Sequence, residues 1–286
     1  MADGKGISSH DSTTVFDEPT LTIGSRLGHR DYIKEAFRHP DFIWRYPLAE
    51  LRAKNRETIL GIAWEMITPL LLVLTWWLIR GVVFPRSGSS DYLQQLIVGI
   101  FTYQYIQRNV TTGASSIDRS RSLMLSFNFP AMVSPVQHAI GSFFSNLPNI
   151  LVMLVFVVSC GTPIQLSWVL LPAIIVLQAL FSFGGSLSLA RITVGNPDLR
   201  NTLPFIFRLI FYASGVVFPI EDRIRGKSIA WLFDLNPFYA IVNLTRWAVN
   251  GSTLHTPTMV SAIAWELLLP VIGYGIFRTG DHRYVE

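Results

Sequence analysis

The sequence predicts an all-α membrane protein: six transmembrane helices, an amphipathic cytoplasmic interface helix before them, and re-entrant outer helices between spans five and six. Three observations carry this. Half of the 286 residues are apolar and only 15% are charged, against about 25% charged in soluble domains, and mean hydropathy is positive at +0.39. No Asp, Glu, Lys or Arg occurs from Ser122 to Ala190, a stretch long enough for two spans at about 20 residues each. Lys and Arg gather ahead of the first long apolar run and in the even-numbered connections and the carboxyl tail, which puts both termini in the cytoplasm.

Residues 1–24, rich in Ser, Thr, Gly and Asp, have neither the short apolar core nor the small-residue cleavage site of a secretory signal, and read as a mobile tail. Residues 25–58 mix Tyr32, Ile33, Phe37, Phe42, Ile43, Trp44, Leu48 and Leu51 with basic and acidic side chains, the pattern of an amphipathic arm lying at the inner membrane surface. The transmembrane domain runs over residues 59–278, with spans expected at Leu60–Phe84, Tyr92–Val110, Ala131–Ser159, Leu166–Ala190, Asn201–Phe218 and Thr258–Phe277. Gln94, Gln95, Gln104 and Gln107 punctuate the second of these, and Arg208 the fifth. Between the last two, Pro219–Pro257 carries Trp231, Phe233, Phe238, Tyr239, Ile241 and Val242. Such a stretch dips back into the outer leaflet, where its backbone must be buried in protein or line a wet cavity. Residues 279–286 form a short cytoplasmic tail.

Several functions are excluded. One cysteine, Cys160, allows no intrachain disulfide and no thiolate zinc cage. The histidines, His10, His29, His39, His138, His255 and His282, never fall at metal-ligand spacing, so neither a metal site nor a catalytic residue is expected. The nearest approach to a phosphate-binding loop is Gly226, Lys227, Ser228, with Glu221 where such a loop needs its first glycine. Any energy from ATP would therefore have to come from another subunit. A net charge of +4 and a pI near 9.3 do not imply nucleic acid, because the basic residues form no stripe free of acids.

Ionisable residues inside spans are costly and are functional candidates by default. Here they are Glu65, Arg80, Arg208 and Glu266. Arg80, near a span end, reads as snorkelling to the interface; Glu65 and Glu266 either pair with a cation or line a polar cavity. His138 reads as a hydrogen-bonded packing residue. At the junction of arm and first span, Arg52, Lys54, Asn55 and Arg56 precede Leu60, Gly61, Trp64 and Pro69. A basic helix end, a bend-permitting glycine and an interfacial tryptophan make a hinge where anionic headgroups meet cations; topological anchoring alone is the bland alternative.

The run Glu50–Leu72, ELRAKNRETILGIAWEMITPLLL, together with Phe129 and Pro130, Asn196–Leu199, and Leu235, Asn236, Pro237, resembles the membrane subunit of type-2 ABC exporters. It is most similar to those that move O-antigen, teichoic acid or galactan. The resemblance covers about Tyr46–Arg278. It implies two copies of this chain with two copies of an ATPase subunit that holds ATP and Mg, in the bacterial cytoplasmic (inner) membrane. The arm with Arg52 and Arg56 would touch the ATPase, and a lipid-linked substrate would enter near Leu60 and Gly61, at a site formed by Arg52, Lys54, Arg56, Leu60, Gly61 and Trp64. Ser115–Phe129 would be the coupling helix, with Asp118, Arg119 and Arg121 as its docking surface and Pro130 after it. Pro219–Asn250 would form paired re-entrant helices, with Asn236 and Pro237 as the outer gate. A sugar channel would use aromatic faces, for which Tyr103, Tyr105, Phe211 and Tyr212 are candidates; aromatics also belt interfaces and fill helix contacts.

The expected function is therefore a channel-forming permease subunit that moves a lipid-linked polysaccharide, a cell-wall galactan or O-antigen-like glycan, with no covalent chemistry of its own. An exporter of small hydrophobic drugs or lipids shares the plan. A polytopic enzyme acting on lipid phosphates is the rival of another class, and it would cluster acids or histidines with arginines at one membrane face.

Overall fold

The computed structural model describes residues 41–45, 47, 49, 61, 63–83, 90–127, 131–217, 220 and 229–279, and no strand occurs among them. The arm is represented by a π-helical turn, Asp41–Arg45. The helices that follow are α1 (Ala63–Val83), α2 (Ser90–Gly113), α3 (Ser116–Phe127), α4 (Val133–Ser159), α5 (Leu171–Thr193), α6 (Pro197–Ala213), α7 (Ala230–Asp234), α8 (Pro237–Asn250) and α9 (Thr256–Arg278), with a 3-10 turn at Leu166–Leu170 leading into α5. Proline stands in the first turn of α5, α6, α8 and α9, where its missing N–H costs nothing and its fixed φ suits the helix. Within α1, Thr68 and Thr75 return their hydroxyls to the carbonyls of Trp64 and Leu71 at 2.8 Å, the internal satisfaction that a lipid setting demands.

Four helices are long and apolar enough to cross a membrane: Ala63–Val82, Val133–Ser159, Leu166–Thr193 and Thr256–Arg278. They correspond to the first, third, fourth and sixth expected spans. The second and fifth fall at α2 and α6, which are helical but more polar. For α2 the reason is its position. It packs against α1, α4, α5, α6 and α8, and Leu96, Ile97, Val98, Ile100, Tyr103 and Ile106 are fully enclosed. A helix surrounded by protein needs no lipid-compatible surface, and Gln94 finds a protein partner, donating to the Cys160 carbonyl at 2.9 Å. The fifth element starts at Pro197 and stops at Ala213, displaced toward the amino end of the expected Asn201–Phe218. It buries Leu203, Phe207 and Phe211 on one stripe while Phe205, Leu209 and Tyr212 face outward.

The most extensive helix pair is α5 with α9. The start of α5 is tied to the end of α8, Ser167 donating to the Ala248 carbonyl (2.8 Å) and Trp168 to that of Val249 (3.0 Å). At the opposite end Leu187, Ala190 and Phe277 share a cluster with Ile43 of the arm and Ile117, Met132, Val133 and Val136. The two helices therefore run parallel. Between those ends their backbones touch: a Cβ on Gly184 would strike the Leu269–Pro270 peptide, and one on Gly273 the Gly184 carbonyl. Without a hydrophobic force between lipid-embedded helices, such close small-residue contact is what holds them. A larger core joins α1, α2, α4, α5, α6, α8 and α9.

Candidate functional site

The hinge before α1 is a left-handed glycine, Gly61 at φ +45°, a conformation that favours glycine. Trp64 follows on the exposed side. Arg52, Lys54, Arg56 and Leu60 lie outside the described residues. Glu65, in the first turn of α1, pairs with Arg108 of α2, Nη1 to Oε2 at 3.5 Å, while Nη2 of the same guanidinium donates to the Glu65 carbonyl at 3.3 Å. The other carboxylate, Glu266, is fully buried, and neither of its oxygens has a hydrogen-bond partner among the described residues. Arg80 lies over the Tyr92 ring, 3.4 Å from its centroid.

The corner between α2 and α3 is densely bonded. Ser115 and Arg119 both donate to the Thr112 carbonyl, at 2.9 and 2.6 Å, and Thr193 at the end of α5 donates to that of Ala114 at 2.8 Å. Ser134 of α4 bonds the Ser116 carbonyl (2.7 Å) and the Ser120 hydroxyl (2.9 Å). On the exposed side of α3, Asp118 forms an ion pair with Arg200 in the first turn of α6. Arg121 is exposed; Phe129 and Pro130 lie outside the described residues.

Aromatic rings join α1, α2, α5, α6 and α8. Tyr103 is enclosed, and its hydroxyl donates to the Phe207 carbonyl. Its ring meets Phe211 edge-on at 5.1 Å and Phe238 at 5.5 Å, and Phe238 in turn meets Phe181 and Phe207 edge-on at 5.7 and 5.9 Å. Phe211 continues to Tyr212 (5.5 Å) and Trp76 (6.4 Å), and Tyr212 stands half exposed at the cluster's edge. Edge-to-face geometry of this kind adds about 0.5–1.5 kcal/mol per pair beyond area burial. Tyr105 is buried on another side of α2, toward α4.

At the other end, Asn236 caps α8, its Oδ1 accepting from the Phe238 and Tyr239 amides at 3.0 and 3.4 Å, with Pro237 as the first helical residue. Its Nδ2 also donates to the Ala213 carbonyl at 3.4 Å, the last residue of α6. Arg246 of α8 is buried. Its guanidinium donates to the carbonyls of Val216 (2.7 Å), Gly215 (3.1 Å) and Gln95 (3.1 Å), and to Asn243 Oδ1 at 3.4 Å. A cation just beyond the carboxyl end of α6 meets the negative pole of the helix dipole.

Residues 49–249, which contain the hinge, the α3 corner, the aromatic cluster and α8, match the pattern of the ABC-2 type transporters. The chain belongs to this family. Among curated proteins it is similar to the O-antigen export system permease protein RfbA of Klebsiella pneumoniae, 25% identical over 238 residues that cover 83% of this chain and 91% of the relative. A second Klebsiella pneumoniae protein of that name is 23% identical over 238 residues, again 83% and 91%. The RfbA permease of Myxococcus xanthus is 25% identical over 210 residues, 73% of this chain and 80% of the relative.

As an ABC-2 permease the chain is a multi-pass transporter subunit, and its family implies an ABC ATPase as partner. Among the described residues no group of three His, Cys, Asp or Glu could hold a metal ion. The structure brings together residues that the sequence did not link: Arg200 with Asp118, Arg108 with Glu65, Phe238 with Tyr103, and Arg246 with the end of α6. Arg108 and Arg246 did carry a signal, each being a charge inside an apolar or aromatic run, where burial requires partners.

Proposed function

We propose that this ABC-2 permease is the channel-forming subunit of an exporter that passes a lipid-linked polysaccharide across the bacterial inner membrane. The observation that carries this reading is its likeness, over 83% of its length, to permeases named for O-antigen export. A galactan or O-antigen-like glycan is the cargo we infer. Two copies of the chain work with two ATPase subunits that bind ATP and Mg. Each copy crosses the membrane six times with both termini in the cytoplasm, α2 and α6 being spans shielded by protein and by the second copy.

In this mechanism the lipid-linked substrate enters beside Leu60, Gly61 and Trp64, its phosphates met by Arg52, Lys54 and Arg56. The ATPase pushes on α3 through Asp118, Arg119, Arg121 and the following Phe129 and Pro130. The push moves α6, whose outward face carries Phe205, Leu209 and Tyr212, and the two copies part there. Asn236 and Pro237 open the outer end. Tyr103, Tyr105 and Phe211 support or line the glycan's route.

The test is to tag the chain in its native cell, solubilise it mildly and assay for a one-to-one partner with vanadate-sensitive ATPase activity. In depleted cells lipid-linked glycan should then accumulate on the inner side. A chain that purifies without an ATPase, or depletion that leaves every lipid-linked glycan at its normal level, would overturn the proposal.

A further inference from the structure

A cavity of about 140 Å³ lies inside one protomer, between α1, α2 and α4, with Pro47 of the arm at its edge. Its walls mix polar with apolar surface, and α4 brings polar side chains to it although it comes from the charge-free part of the chain. His138, Ser142, Ser145 and Asn149 of α4 all face it, at the spacing that places residues on one side of a helix. Gln104, Arg108 and Thr112 of α2 line the opposite wall at the same kind of spacing, with Phe101 and Tyr105 beside them. From His138 to Asn149 the slot extends about 16 Å at roughly 1.5 Å per residue.

Part of the polar wall is bonded internally, His138 Nε2 lying 3.0 Å from both the Thr112 hydroxyl and the Asn109 carbonyl. Asn109 is only 2% exposed, and its side chain and the Tyr105 hydroxyl meet each other rather than the cavity. Asn149 donates to the Ser145 carbonyl at 3.3 Å while its Oδ1 stays unpaired. Gln104 and Ser145 line the cavity with part-exposed side chains, and an acyl chain there would strip them of water at about 1–3 kcal/mol each. The charges nearly cancel: Arg108 is matched by Glu65, and Arg119 at the α3 corner adds one cation. Amides and hydroxyls that both give and accept, two aromatic rings and one cation at one end are the complement of a hydroxyl-rich ring attached to a phosphate. The volume holds about five waters at roughly 30 Å³ each, or one sugar ring in their place.

We propose that this slot is a carbohydrate-binding pocket within a single protomer, apart from the route between two copies, and that it holds one sugar of the substrate with its phosphate-bearing end toward Arg119. The proposal rests on the polysaccharide reading above. The experiment separates the two. In the native cell, with its ATPase, p-benzoylphenylalanine replaces Ser145, Tyr212 or Leu151, the last an α4 residue that is 65% exposed. After irradiation, adducts are read as a polydisperse ladder that stains with hydrazide once periodate has opened vicinal diols. A ladder at Ser145, several-fold stronger than at Leu151, is the expected result, and Asn149→Leu should weaken it about tenfold, the worth of one lost hydrogen bond. A smaller probe guards against misfolding: Ser145→Cys in a Cys160→Ser background should react several-fold more slowly with a methanethiosulfonate reagent when glycan synthesis is on. A ladder at Tyr212 alone, with Ser145→Cys equally reactive in both conditions, means a slot filled by water and overturns the pocket while the exporter reading stands. No ladder at any position overturns both.

Discussion

Replacing Arg200 by alanine separates a mechanical role for its ion pair from a structural one. The pair with Asp118 is open to solvent, the two side chains being 32% and 36% exposed, and exposed pairs contribute about 0.2–1 kcal/mol. Against a typical folding free energy of about 5–15 kcal/mol, such a loss leaves the subunit folded, so Arg200→Ala should purify with its ATPase in normal yield. If α3 drives α6 through this contact, the coupling suffers far more than the stability does. Coupling energies of about 1–3 kcal/mol correspond to roughly 5–150-fold, so glycan exported per ATP hydrolysed should fall at least about fivefold. The assay is surface-exposed glycan in depleted cells complemented with the variant, set against vanadate-sensitive ATPase activity of the purified complex. Reversing the pair as Asp118→Arg with Arg200→Asp should recover most of the loss, because the contact returns with opposite polarity. Normal export by an intact Arg200→Ala complex would refute the reasoning, as would a double reversal no better than either single change.

Gly184→Ala should lower the thermal midpoint of the solubilised complex, because the new Cβ strikes the Leu269–Pro270 peptide and overpacking costs about 1–3 kcal/mol; Gly81→Ala, whose Cβ meets nothing within 4 Å, is the control and should leave it unchanged or higher. Arg246→Met leaves the carbonyls of Gln95, Gly215 and Val216 without their donor, so unfolding in mixed micelles should be easier by about 2 kcal/mol or more even at the roughly 0.6 kcal/mol that interhelical bonds average in membranes, since unmet acceptors add to it. Arg246→Lys should restore part of that stability, and equal stability of all three proteins would show the carbonyls satisfied in some other way. Arg52→Ala with Arg56→Ala should reduce export while the complex still assembles, and unimpaired export would remove the basic flank from the route of the substrate.

The apolar spans were legible because a membrane helix needs little more than length and hydrocarbon, and α1, α4, α5 and α9 supply both. The character of α2 was less plain, since Gln94 and its other glutamines speak against lipid and only the surrounding helices explain them. Pro197 marks the true start of α6 better than hydropathy does, because a proline in the first turn is a helix-start signal that an apolar window ignores. Glu65 asked for a cation, but Arg108 lies 43 residues away, and pairing across helices leaves no local pattern. Tyr103 needed a partner for its hydroxyl and found a main-chain carbonyl, which no side-chain pattern discloses. The stripe from His138 to Asn149 was legible in principle: polar residues returning every three or four positions in a charge-free run mark a helix face that does not meet lipid.

These contacts give α6 an unusual standing in the bundle. Its first turn is fastened to α3 by Arg200 and Asp118, and its far end to α8 and its cap by Asn236 at Ala213 and by Arg246 at Gly215 and Val216. Between the two anchors one face packs on Tyr103 and Phe238, while on the other Leu209 is exposed and Tyr212 is half exposed, edge-on to Trp76 of α1 at 5.9 Å. Pro204 stands one turn after Arg200. A proline there cannot donate to the carbonyl four residues back and opens the helix at that point. Movement of α3 therefore reaches α6 on the amino side of Pro204, and the portion beyond it carries Phe207, Phe211 and Tyr212 as a unit. Under the proposed mechanism a push on the cytoplasmic side becomes a displacement of the aromatic face through a helix that yields at Pro204, where the Arg200 carbonyl lacks its helical donor.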